Sequence, residues 1–258
     1  MTSADIRHAA SKAPAATLGF WIIKVLATTL GETGGDTVSM SWNQGYLVGS
    51  AIFLAILAAL VAWQVAADRF RPLLYWATIV ASTTAGTTMA DFATRSLGIG
   101  YAGGSALLLG GVLAALATWR WRLGSISADR VVSAQAEAFY WTTITFSQTL
   151  GTALGDWTAD TRGLGYMGAA LVFAALLAAV GGLYIWTRLS RVALFWAAFV
   201  LTRPLGAAVG DFLDKPVDHG GLALSRPVAS AVLAAVIVGL IFVLPQRPGG
   251  HGAAEPAA

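Results

Sequence analysis

The chain has 258 residues, 57% of them hydrophobic and only 11% charged, with a formal net charge of +3. A soluble domain carries about twice that charged fraction, so the composition points to a membrane protein. The absence of cysteine excludes disulfides, thiolate metal sites and cysteine nucleophiles, and the basic residues punctuate apolar segments rather than forming a nucleic-acid patch.

In chain order, residues 1–16 form a polar, Ala-rich segment with Arg7 and Lys12, read as an uncleaved N-terminus. Eight apolar stretches follow, at 18–35, Tyr46–Ala66, Leu73–Ala90, Tyr101–Trp119, about Ala138–Gly155, Leu164–Trp186, Val192–Gly210 and about Pro227–Leu244. Each is long enough to cross a hydrocarbon core of about 30 Å. The spacing predicts an all-α transmembrane domain over 17–245, with two-helix units at about 17–67, 72–122, 137–188 and 192–245, and a disordered tail over 246–258. His8, His219 and His251 all lie outside the apolar stretches, which argues against an imidazole metal site in a membrane core.

The loops give an orientation. Arg69, Arg71, Arg120, Arg122, Arg130, Arg188 and Arg191 follow the second, fourth and sixth stretches, on the side of both termini. The other loops are rich in acids. The positive-inside rule then places both termini in the cytoplasm.

One phrase recurs four times and ends in Asp36, Asp91, Asp156 and Asp211. Fifteen residues before these aspartates stand Trp21, Trp76, Trp141 and Trp196; five before stand Gly31, Gly86, Gly151 and Gly206; one before stand Gly35, Ala90, Gly155 and Gly210. Nine residues after stand Gly45, Gly100, Gly165 and Gly220, and ten after stand Tyr46, Tyr101 and Tyr166, with Gly221 departing in unit four. Units one and two map onto three and four at a constant offset of 120 residues. This is internal repetition of a two-helix unit in parallel orientation. It puts the tryptophans in the cytoplasmic interfacial belt and the aspartates about 22 Å away, at the outer helix ends.

The glycine and alanine pairs are small-xxx-small contacts for close helix packing. On the face of the aspartates lie Glu32, Thr29 and Thr28 in unit one, Thr87 and Thr83 in unit two, Thr152 and Gln148 in unit three, and Arg203 in unit four. The threonines are open to two readings, bonding back to the preceding turn or lining a polar path. Even helices are almost wholly apolar, so odd helices are expected inside and even helices against lipid. A buried Arg203 requires a partner, and Glu32 is the expected one. Pro204 is expected to kink helix seven. Lys24 is expected to snorkel to the inner interface.

The stretch FWIIKVLATTLGETGGDTVSM (Phe20–Met40), with the later GTALGDW and RPLGAAVGD, resembles the bacterial multi-pass membrane proteins built from four DUF347 repeats. The resemblance runs over about residues 14–245 and implies a repeated two-helix unit with a tryptophan, matching Trp21, Trp76, Trp141 and Trp196.

Three function classes follow from the residues. The first is a transporter or channel for a small solute, best suited to a hard cation or proton. Asp36, Asp91, Asp156 and Asp211 would form an outer acidic ring and potential metal ligands, with Glu32 as inner ligand or proton carrier and Arg203 as gate or counter-ion. The second is a structural or sensory membrane protein whose acids only stabilise helix ends. The third, an enzyme using acid pairs such as Asp156 and Asp160, lacks an intramembrane histidine, a cysteine or a recognisable serine nucleophile. The expectation is therefore no catalysis and no cofactor, with the lipid bilayer and a small cation or proton as partners and no nucleic acid.

Overall fold

The computed structural model describes residues 11–96, 100–161 and 163–249, without the side chains of Arg130 and Thr161. Of the N-terminal segment expected over residues 1–16, residues 1–10 lie outside them.

Among the described residues there are eight long helices: α1 Leu18–Asp36, α2 Gly45–Ala66, α3 Pro72–Asp91, α4 Gly100–Leu123, α5 Ala134–Asp156, α6 Gly165–Trp186, α7 Arg191–Asp214 and α8 Arg226–Val243. Local chemistry sets their starts. Thr17, Ser133 and Ser190 accept bonds from the backbone N–H groups of Phe20, Ala136 and Ala193 at the N-termini of α1, α5 and α7. Pro72 opens α3, where its missing N–H costs nothing. The glycine nine residues after each aspartate has a positive φ in all four units, +76° at Gly45, +71° at Gly100, +64° at Gly165 and +83° at Gly220, a left-handed conformation that glycine adopts without a steric penalty.

Five helices, α2, α4, α6, α7 and α8, are long and apolar enough to cross a membrane. In the other three, α1, α3 and α5, threonines, glycines and acids dilute the apolar residues. Helix α7 continues through Pro204 without a break in its helical run.

The first three aspartates are followed by a π-helical turn, at Thr37–Ser41, Phe92–Ser96 and Trp157–Thr161. Unit four has none. There Lys215 turns extended at the end of α7, and a loop leads to α8. The missing tyrosine now has a reason, because a Cβ at Gly221 would overlap the Lys215 carbonyl.

The sequence repeat and the packing unit differ. Helices α1, α3, α5 and α7 pack each on the next, and α7 packs back on α1, closing a circuit. Each even helix lies along the odd helix of the following repeat: α2 on α3, α4 on α5, α6 on α7, and α8 on α1. Helices α1, α3, α5 and α7 are extensively buried, whereas α2, α4, α6 and α8 bury only two to four residues each.

The small residues form the joints of the circuit, always in the same rotational sense. A Cβ on Gly31 would strike Thr83, and one on Gly35 would meet Thr87 at 3.0 Å. Gly86 seats the backbone of Gln148, Gly151 the stem of Arg203, Gly206 Thr28, and Gly210 the Cβ of Glu32 at 2.6 Å. Residues eight and four before one aspartate thus lie against the glycine pair of the preceding odd helix, which lets the backbones close up.

The end of the bundle near the termini is filled by rings. Phe20, Tyr75, Tyr140 and Phe195 precede the four repeat tryptophans, and Tyr75 and Tyr140 share a hydroxyl–hydroxyl bond of 2.6 Å. Trp76, Trp141 and Trp196 are at most 4% exposed. The expected interfacial belt is therefore corrected: these three indoles pack inward, edge-on to neighbouring aromatic rings. The Trp76 and Trp196 indole N–H groups donate to Gln246 Oε1 and the Ile126 carbonyl. Residues 246–249 of the tail expected to be disordered pair with residues 11–15. The Ala15 N–H donates to the Arg247 carbonyl at 2.9 Å and the Gly249 N–H to the Ala13 carbonyl at 2.8 Å. Residues 250–258 lie outside the described part.

Candidate functional site

The repeat register stacks buried side chains in layers one helical turn apart. Twelve residues before the aspartates stand Lys24, Ile79, Ile144 and Phe199; eight before stand Thr28, Thr83, Gln148 and Arg203; four before stand Glu32, Thr87, Thr152 and Ala207. The first two layers are wholly buried, and in the third no residue is more than 2% exposed.

Unit four puts only a methyl group, Ala207, in the layer four before the aspartate. Arg203 extends from the layer below to complete it. The two hydrogens of its Nη2 are shared among Glu32 Oε2 at 2.9 Å on α1, Thr87 Oγ1 at 2.5 Å on α3 and Thr152 Oγ1 at 2.6 Å on α5. Its Nη1 donates to the Thr28 carbonyl at 3.2 Å. One guanidinium on α7 therefore ties together all four helices of the circuit. Glu32 also accepts from Thr87 Oγ1 at 3.4 Å.

The threonines do both things open to them. Thr28, Thr29, Thr87 and Thr152 bond back to carbonyls of the preceding turn. Thr28 also reaches the Thr202 carbonyl on α7 at 3.0 Å, and Thr87 the Gly31 carbonyl on α1 at 3.0 Å. A hydroxyl hydrogen serves one acceptor at a time, so these side chains can switch between their own helix and the next.

One turn outward, Asp36, Asp91, Asp156 and Asp211 are all at most 3% exposed. Two cations divide them. Lys215 Nζ lies 2.6 Å from Asp36 Oδ2 and 3.0 Å from Asp211 Oδ1. Arg95 places Nε 2.8 Å from Asp91 Oδ1 and Nη2 3.2 Å from Asp156 Oδ2. Arg226 Nε adds contacts to Asp214 at 3.2 Å and Asp36 at 3.7 Å. Burial opposes the charge on Arg95 and Lys215, but the surrounding carboxylates outweigh it and hold both groups above their ordinary pKa.

The pattern that defines the family described as Repeat of Unknown Function (DUF347) matches this chain four times, over residues 19–70, 74–124, 139–190 and 194–244. The chain belongs to the DUF347 family. No curated protein and no solved structure matches it. In this DUF347 protein each match holds an odd helix and the even helix after it, whereas the packing pairs each even helix with the next match.

The carboxylates are not equivalent. Oxygens of Glu32, Asp36 and Asp211 lie within 4.8 Å of one another, close enough to share a metal ion. Asp91 and Asp156 meet across Arg95 instead. Asp156 and Asp160 enter different contacts: Asp156 binds Arg95, and the exposed Asp160 accepts from the Tyr101 hydroxyl at 3.0 Å. Lys24 corrects a further expectation. It does not snorkel; it is fully buried, with Nζ 4.2 Å from the centre of the Phe199 ring.

Arg95 and Lys215 were not singled out by sequence reasoning, yet a signal was available. Each stands four residues after its aspartate and they are 120 residues apart, where units one and three carry Met40 and Asp160. The pairing of cations in alternate units is written in the repeat.

Proposed function

We propose that this DUF347 protein is a multi-pass bacterial inner-membrane transporter for a small solute, a hard cation or proton, and not an enzyme. In this reading all eight helices span the bilayer, odd helices form the inside, even helices face lipid, and both termini are cytoplasmic. The exposed apolar residues on the even helices and the arginine-rich loops support that placement.

One observation carries the reading: Glu32, Asp36 and Asp211 are buried together, one to two turns outward of the Arg203 backbone, where the odd helices meet. Buried carboxylates in a membrane domain are costly and mark ion or proton paths. A cation entering among Glu32, Asp36 and Asp211 competes with the Lys215 ammonium for Asp36 and Asp211, and with Arg203 for Glu32. A proton on Glu32 has the second effect alone. Either loosens the one side chain that binds four helices, which couples occupancy to helix arrangement.

The test is ion flux in proteoliposomes with Asp36→Asn and Glu32→Gln, beside metal and pH sensitivity of a deletion strain. The reading requires flux in the wild type and its loss in both variants, measured on protein that still folds and inserts. A second reading, a structural or sensory protein, is favoured by the basic partner each of these acids already has. It requires the same variants to lose stability while no ion moves.

A further inference from the structure

Beneath the Arg203–Glu32 layer the charges do not balance. Lys24 and Arg203 are both fully buried basic side chains, and Arg203 already shares Glu32. Lys24 sits on α1 one turn below Thr28, whose carbonyl binds Arg203, and its ammonium lies against Phe199, one turn below Arg203 on α7. Both cations therefore flank the same two helical turns. No acid pairs with Lys24 among the described residues.

The polar groups around them are unpartnered. Lys24 Nζ, Arg203 Nε, both amide atoms of Gln148 and the Thr83 hydroxyl are buried without a hydrogen bond among the described residues. Gln148 lies on α5 one turn below Thr152, which binds Arg203, and three residues from Gly151, on which the Arg203 stem packs. Lys24 Nζ and Arg203 Nε can only donate; Gln148 and Thr83 can donate as well. Four donors from four helices, two of them cationic, call for an acceptor that carries negative charge. Buried polar groups are seldom left without partners, and water would satisfy the donors while leaving the charge uncompensated.

We propose that this core holds a small monovalent anion of halide size, bound chiefly by Lys24 and Gln148, with Arg203 adding its charge from one turn outward. The helices meet closely at Gly86 and Gly151, so the proposed ion is a small one. This inference goes beyond the cation reading and is read by binding, so it stands or falls whatever the flux experiments give.

The experiment uses the full chain in nanodiscs, with sodium bromide exchanged for sodium gluconate at one ionic strength. Anion binding to the folded state raises the melting temperature with saturation. The wild type should show that rise. Lys24→Met should weaken the apparent bromide affinity by about tenfold or more. Gln148→Glu supplies a fixed carboxylate and should melt at the same temperature in both salts; it decides the matter alone if Lys24→Met fails to fold. Equal wild-type melting in the two salts would overturn the proposal, and so would an undiminished bromide affinity in Lys24→Met or any bromide response in Gln148→Glu.

Discussion

Arg203 on α7 donates to Glu32 on α1 at 2.9 Å, and neither residue is more than 2% exposed. The two stand 171 residues apart in sequence. This pair closes the circuit of odd helices between its last and first members. Its energetic role follows from burial: a desolvated pair contributes little net stability, but losing one partner strands the other charge.

Glu32→Gln should therefore destabilise by about 3–5 kcal/mol, as should Arg203→Met. The double variant should lose much less than the sum, because no charge is left unpaired. Unfolding in detergent across the four proteins of the cycle measures the coupling. Additive losses would mean that Arg203 acts through its threonine contacts and not through Glu32.

A second prediction concerns the glycine seats. A Cβ at Gly151 would overlap the Arg203 stem and approach Pro204 Cδ at 3.0 Å. Gly151→Ala should cost about 1–3 kcal/mol by overpacking. Gly181 on α6 has nothing within 4 Å of an added Cβ, so Gly181→Ala should be neutral or stabilise by up to about 1 kcal/mol. Paired melting curves check the contrast. Equal effects at the two sites would show that glycine content, not seating, governs stability.

Much of this was legible in the sequence. Threonine stripes, apolar runs and the 120-residue offset mark eight helices with boundaries close to those observed, because each rests on periodicity within one segment. Which even helix covers which odd helix was not legible. That choice lies between repeats, and α2 carries no residue type that would distinguish α1 from α3 as its neighbour. The tryptophans were misplaced for a related reason: an indole near a helix end suits a lipid interface or an aromatic core equally, and only the neighbouring Phe20, Tyr75, Tyr140 and Phe195 rings decide. Lys24 was misread because snorkelling depends on which face of α1 is covered.

The outer cations give a third prediction. Lys215→Met leaves Asp36 and Asp211 facing each other without their shared ammonium and should destabilise strongly. Adding Asp211→Asn to Lys215→Met removes one of the two like charges and should recover part of the loss. Thermal unfolding of the single and double variants reads this. If the second change deepens the loss, Asp211 is held by contacts other than Lys215.

The closed circuit makes a fourth prediction, about connectivity. Helix α8 covers α1 as α4 covers α5, and the two ends of the described part pair at Ser11–Gly249 and Ala15–Arg247. The break between units four and one is thus one more repeat junction, with two ends already within backbone hydrogen-bond reach. A permutant joining residue 249 to residue 11 through a short Gly/Ser linker, opened between Gly124 and Ser125, keeps every helix pair. The opening separates α4 from α5 in sequence while their packing stays intact, and an even number of helices on each side preserves orientation. The permutant should insert, with a melting temperature within a few degrees of the parent. Opening inside α3 should instead abolish folding, since that helix supplies Thr87 to Arg203 and the seat for Gln148. Failure of the permutant opened between Gly124 and Ser125 would show that the order of the helices along the chain, and not the closed circuit alone, sets the fold.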